Sequence, residues 1–232
     1  MTTVRDHTWL WKLALALLVS FCTRGASGTE LNGRSVTLPP PAGYCSLNTS
    51  IEPEATWFRE MAALLAPQNR LLAYAVPCTE LEHWRRNPDA GPTRTVTIYT
   101  PQLILDRRVV TTRAAWLALI SPHLDRAFGN TGRVTGQVNE NFARDGFALR
   151  ATDITYLGVL RRTDDALFAA QIQRYDAAGS AVAQLASSAM TVLSGIPMQV
   201  AMAETVSGND WRVAPLLDAL QRYVRLLVSS NP

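Results

Sequence analysis

Between Ile154 and Glu204 the chain runs through four apolar-rich segments, ITYLGVLRR, ALFAAQIQRY, VAQLASSAMTVL and MQVAMAE. Short turn signals divide them: Thr163 to Asp165, DAAGS at 176–180 and SGIP at 194–197. Turns at such regular spacing predict hairpins, and therefore an antiparallel meander. ALFAAQIQ and VAQLASSAM are compatible with helix on propensity alone, so it is the turn spacing that carries the assignment.

A sheet of this kind needs a cover, and the C-terminus supplies one. Val213, Leu216, Leu217, Leu220, Tyr223, Val224 and Leu227 recur at three and four residues, while Arg212, Asp218, Arg222 and Arg225 fall off that stripe. Asn209 or Asp210 is the expected N-cap. Upstream, the pattern predicts a strand over 34–38 that serves as an edge or lead-in before Pro39 to Pro41, and a helix over 53–65. Further strands are expected over 70–76 and 93–100. Between these two strands Thr79 and Glu82 form a capping-box pattern for a short helix. A helix over 112–128 carries Pro122, which is expected to kink or split it, and GNTG at 129–132 is expected to end it.

The N-terminus reads as an export signal. Arg5 and Lys12 precede the apolar run Leu13 to Phe21, and small residues follow in GASG at 25–28. The run is too short for a typical transmembrane helix, which favours cleavage near Ser27 or Gly28 over a retained anchor. Cys22 invites a lipid-acceptor reading, but the bulky Phe21 stands where that motif takes a small residue. A signal peptide over 1–28 leaves a single domain over 29–232, about 204 residues, enough for one sizeable core. It also takes 22 cations to 19 and 19 anions to 18, a net charge near +1, so the basic pI does not argue for nucleic acid. Lys12 is the only lysine, so Schiff-base chemistry and a Walker lysine are excluded from the exported chain.

The order of elements makes an α+β sandwich, a mostly antiparallel sheet flanked by helices and closed by the C-terminal amphipathic helix. With its proline-flanked lead strand, TLPPPAGY, it resembles the Mog1/PsbP-like fold. In carrying Arg almost without Lys, and abundant Ala, it is also similar to the uncharacterised exported proteins of high-GC bacteria. A resemblance at this level implies architecture and transfers no residue roles.

Two cysteines remain after export, Cys45 and Cys78, and an even number in an oxidising compartment predicts one disulfide. It would close a loop of 34 residues, counting both cysteines, for roughly 3.8 kcal/mol on the chain-entropy estimate. No C-x-x-C suggests redox work, and His83 alone is too little to make a zinc site with them. No metal and no cofactor are expected.

Catalytic motifs are absent: neither G-x-S-x-G nor H-E-x-x-H occurs, and GNTGRVTG lacks phosphate-loop spacing. Asp164 and Asp165 suit a turn better than an acid/base pair. His83 and His123 read as surface or packing residues, although His83 beside Glu82 keeps a hydrolase site as an alternative. Three Arg pairs remain, Arg85/Arg86, Arg107/Arg108 and Arg161/Arg162. They read either as solvated element ends or as an anionic-ligand surface for phospholipid, polyanion or an acidic partner, with Trp84 as an interfacial anchor. Convergence of pairs on one face would favour the second reading. Small residues at Ala183, Ala186, Ser187, Ser188 and Ala189 allow either close helix packing or a groove.

The expectation is therefore a non-enzymatic exported module that binds a periplasmic or cell-envelope partner, with His83, Trp84, Arg85 and Arg86 as candidate binding residues. A hydrolase near Glu82/His83 and a small-molecule or lipid carrier are the alternatives. No nucleic acid and no transmembrane segment in the exported chain are expected.

Overall fold

The computed structural model describes residues 28–88, 91–105, 107–128, 131–144, 146, 149–177, 179–207 and 211–232. Residues 1–27 of the expected signal segment over 1–28 and the expected N-cap at 209–210 lie outside these residues. The strands are β1 (Gly28–Leu31), β2 (Arg34–Thr37), β3 (Tyr44–Ser46), β4 (Asn69–Pro77), β5 (Arg94–Pro101), β6 (Leu149–Arg162), β7 (Leu167–Ala177), β8 (Ser180–Leu193) and β9 (Ile196–Val206). The helices are α1 (Glu54–Leu65), α2 (Cys78–Arg86), α3 (Arg113–Phe128), α4 (Thr131–Arg144) and α5 (Val213–Ser230).

Seven strands form one sheet in the order β3-β4-β5-β9-β8-β7-β6, every neighbouring pair antiparallel. The meander is present at the expected place. At the first turn the Thr163 amide donates to Ala166 O at 3.0 Å, and Thr163 Oγ1 accepts from the Asp165 and Ala166 amides. At the last, Ser194 (φ 49°) and Gly195 (φ 78°) have the positive φ values that a type I′ hairpin needs.

Alternation along each strand sorts side chains to two faces. On one face Val96, Ile98, Phe168, Ala189, Met198, Val200 and Met202 meet Leu217, Leu220, Tyr223, Val224 and Leu227 of α5. The C-terminal stripe is thus buried as its spacing predicts. Burial of each of its larger side chains contributes roughly 1.5–3 kcal/mol. Leu31 and Val36 join the same core, because 28–37 is a hairpin of two strands rather than a lone lead-in. Asn231 clamps it: its Nδ2 donates to Thr37 O and its Oδ1 accepts from Thr37 N, both at 2.8 Å. Tyr223 Oη donates to Pro39 O at 2.8 Å and fixes the start of the proline run.

The other face carries the remaining helices. α1 and α2 cover β3–β4 through Trp57, Phe58, Met61, Leu81 and Trp84. α3 lies on β6–β8 and runs through Pro122 as one element. Leu117 and Leu124, on either side of Pro122, pack into the same cluster with Leu167, which holds both halves in place. Residues 131 and 132 do not merely end a helix; they open α4, an element absent from the sequence expectation. Asn139 ties α4 to β6, accepting from Ala151 N at 2.7 Å and donating to Ala151 O at 2.9 Å.

Two local expectations are corrected. α2 starts at Cys78, one residue before the expected Thr79 cap, and no side chain caps it. The Cys78 amide is instead taken by Gly43 O at 3.0 Å, an arrangement set by β3 lying beside the end of β4. The small residues of β8 divide by parity between the two faces and line neither of the two clefts described below, so close packing is the outcome at Ser187 and Ala189. Ser187 and Ala189 are fully buried toward α5, while Ala186 and Ser188 face the opposite way.

Candidate functional site

Cys45 and Cys78 are joined by a disulfide, with Cα atoms 4.9 Å apart. The bridge fastens the first residue of α2 to β3, and so positions the helix that carries His83, Trp84, Arg85 and Arg86. Trp84 is only 2% exposed; its ring meets Trp57 edge-on at 5.6 Å and its Nε1 donates to Pro88 O at 3.1 Å. Its indole therefore belongs to the core and cannot lie against a membrane. Arg85 Nε donates to Oε1 of the fully buried Glu54 at 2.7 Å, and this contact holds the guanidinium pKa above its ordinary value. Glu54 Oε2 accepts from Asn48 N at 2.7 Å, so the pair links α1, α2 and the segment after β3. Arg86 folds back on its own helix, with Nε donating to Glu82 O.

Glu82 and His83 are exposed and line neither of the two clefts described here. The acidic residue of α2 with tertiary partners is Glu80. Its carboxylate accepts from the Thr93 and Arg94 amides at 2.9 and 3.1 Å and from Arg94 Nε at 2.7 Å. Burial pushes the Glu80 carboxyl up, but the hydrogen bonds from Arg94 and Thr93 outweigh it and the pKa lies below the usual range. A small cleft of about 270 Å³ opens over Trp57 and Trp84, rimmed by Pro53, Pro88 and Gly91. Among the described residues no group of three His, Cys, Asp or Glu side chains could hold a metal ion.

The Arg pairs do not meet on one face. Arg161 and Arg162 are adjacent on a strand and so point to opposite sides of the sheet. Arg161 donates to Asp218 Oδ1 at 2.9 Å and to Gln221 of α5, while Arg162 donates to Ser121 of α3. A different convergence appears instead. Arg108, from one of the pairs, lines a solvent-open cleft of about 640 Å³ together with Arg34 and Arg113, neither of which the pairing pattern singles out.

The topology builds this cleft at one end of the sheet. β5 pairs with β9, so the chain leaves β5 beside the β8–β9 turn and runs past it as a strap over 102–112 before entering α3. The Val109 amide donates to Gly195 O at 3.0 Å and ties the strap to that turn. From the other side, the Asn32–Gly33 turn brings Asn32 Nδ2 onto Leu105 O, and Arg34 reaches Ser194 O. Arg113 Nε donates to Val192 O at 2.8 Å.

Gly195 is the hub. A Cβ there would meet Arg34 Nη1 at 2.6 Å and Arg108 Nε at 3.5 Å, so two guanidinium groups stand over one glycine. Among the described residues neither Arg34 nor Arg108 makes an ion pair. Among the described residues the one ion pair to these three cations is that of Arg113 with Asp165, at 3.6 Å. Like charges gathered this way favour a bound anion, and the guanidinium fork suits the paired oxygens of phosphate or carboxylate. Ser35, Thr111, Val109, Val110, Val192 and Pro232 complete the lining. No His, Cys, Asp or Glu is among the lining residues.

The chain is thus an α+β sandwich with an arginine-lined cleft at one end of its sheet. No family model matches the chain, and no curated protein matches it. No helix among the described residues is long and apolar enough to cross a membrane.

Proposed function

We propose that the chain is an exported, non-enzymatic binding module for a cell-envelope component, and that the Arg34/Arg108/Arg113 cleft takes an anionic group of that component. The observation that carries this reading is the meeting of Arg34 and Arg108 over Gly195, with no Asp or Glu side chain among the described lining residues. Two segments distant in sequence, around Arg34 and over 108–113, supply the charges, which favours a built recognition site over solvated element ends. The cleft's hydroxyls have no general base beside them, which favours recognition over hydrolysis. The Cys45–Cys78 disulfide and the N-terminal apolar run support export. The proline-flanked lead segment and the closing helix support kinship in architecture with the Mog1/PsbP-like sandwich.

The test is calorimetric titration of the purified protein with inorganic phosphate and with glycerol phosphate at low ionic strength. Saturable binding is expected, weakened at least tenfold by Arg108→Glu and insensitive to Arg86→Glu on α2. Absence of saturable binding to either anion would refute the assignment.

A further inference from the structure

The strap that brings Arg108 to the cleft also carries the most exposed large apolar side chains of the described residues. Leu103 is 89% exposed and Val110 is 91% exposed. Single exposed apolar residues are ordinary on protein surfaces. Here two lie on one short segment, with Arg107 and Arg108 between them, and Val110 is itself part of the cleft lining. Asp106 is the only carboxylate in the strap's sequence.

We infer that the anionic group taken by the cleft is the phosphate of a membrane lipid headgroup, and that the strap over 102–112 lies on the bilayer surface with Leu103 and Val110 in its apolar margin. The inference rests on the cleft reading above and adds the source of the anion. Apolar side chains that enter the interface beside arginines that hold headgroup phosphates are the two contributions that surface attachment combines. The pairing of isolated apolar side chains with arginines fits an anionic lipid surface, and binding to a protein in place of vesicles is the outcome that would overturn it. Two such side chains suffice for shallow insertion when charge contributes as well. A freely diffusing phosphate would leave Leu103 and Val110 unused.

The experiment is co-sedimentation of the purified protein with vesicles of phosphatidylethanolamine and phosphatidylglycerol, against vesicles of phosphatidylcholine alone. Glycerol phosphate titration runs alongside as the soluble arm. Variants are Leu103→Ser and Arg108→Glu. Both positions are exposed, so unchanged thermal melts are expected for each. The inference expects binding to the anionic vesicles, little to phosphatidylcholine, and about a tenfold or greater loss for either variant. It also expects Leu103→Ser, which lies outside the cleft lining, to bind glycerol phosphate as the parent does. If glycerol phosphate binds but vesicles do not, or if the serine variant sediments like the parent, the lipid inference falls and the cleft reading stands. If neither glycerol phosphate nor vesicles bind, both fall.

Discussion

Removal of the Cys45–Cys78 bridge tests the link between a local staple and the geometry of the whole β3–α2 corner. The crosslink closes a loop of 34 residues that contains α1 and all of β4. On the chain-entropy model its loss frees the unfolded ensemble by about 3.8 kcal/mol, a large share of the 5–15 kcal/mol that holds a typical domain. The folded state keeps its own contacts at the corner, since β3 pairs with β4 from Tyr44↔Pro77 to Ser46↔Ala75 and Cys78 N bonds Gly43 O. The double variant Cys45→Ala/Cys78→Ala is therefore expected to fold, with its urea midpoint lowered by the equivalent of roughly 3–4 kcal/mol and its m-value somewhat raised by a more expanded unfolded state. Reduction of the parent protein should give the same midpoint as the variant. A difference below about 1 kcal/mol would refute the reasoning, as would two free thiols on the denatured, unreduced protein.

Gly195→Ala places a side chain at φ 78° and against Arg34 Nη1. A stability loss of about 1–2 kcal/mol is expected from the backbone, because the guanidinium end can swing aside more cheaply than the turn can change. That swing takes Arg34 out of the cleft, so calorimetry with inorganic phosphate should show weaker binding; unchanged affinity would separate Gly195 from the site. Alkaline unfolding should report Tyr74, whose burial in the α1–β4 layer pushes its hydroxyl from 10.0 to about 12. The folded protein holds that proton longer than the unfolded chain, so stability falls as pH rises from 10 toward 12, by roughly 2–3 kcal/mol at most from this group. Tyr74→Phe should flatten that slope in pH-dependent denaturant titrations, and an unaltered slope would show that the hydroxyl is not the cause.

Much of the fold can be read from local pattern. The meander follows from turn residues at short intervals, and α5 from an unbroken stripe of apolar residues three and four apart. The disulfide follows from having just two cysteines, Cys45 and Cys78, after residue 28. The elements that escape the reading had weaker marks. β1 is announced by Asn32–Gly33, the strongest short hairpin signal, but its four residues GTEL offer little alternation to extend it. α4, TGRVTGQVNENFAR, has two glycines and two asparagines that lower its propensity, and only Val134, Val138 and Phe142 at intervals of four betray its buried side. Packing against Ile154 and Tyr175 overrides the propensity.

The candidate site divides along the same line. Composition determines that arginine is the fixed cation of residues 29–232, and hence that any anion site there is built from guanidinium groups. It does not determine which arginines meet. Adjacent pairs attract notice in a sequence, yet adjacency on a strand sends Arg161 and Arg162 to opposite faces, and a helix spends Arg85 on the buried Glu54. Arg34, Arg108 and Arg113 come together because β9 returns to pair with β5, bringing the β8–β9 turn under the strap, while the β1–β2 hairpin docks beside it. Contacts between residues so far apart in the chain depend on the order of strands in the sheet, and side-chain periodicity carries no information about that order.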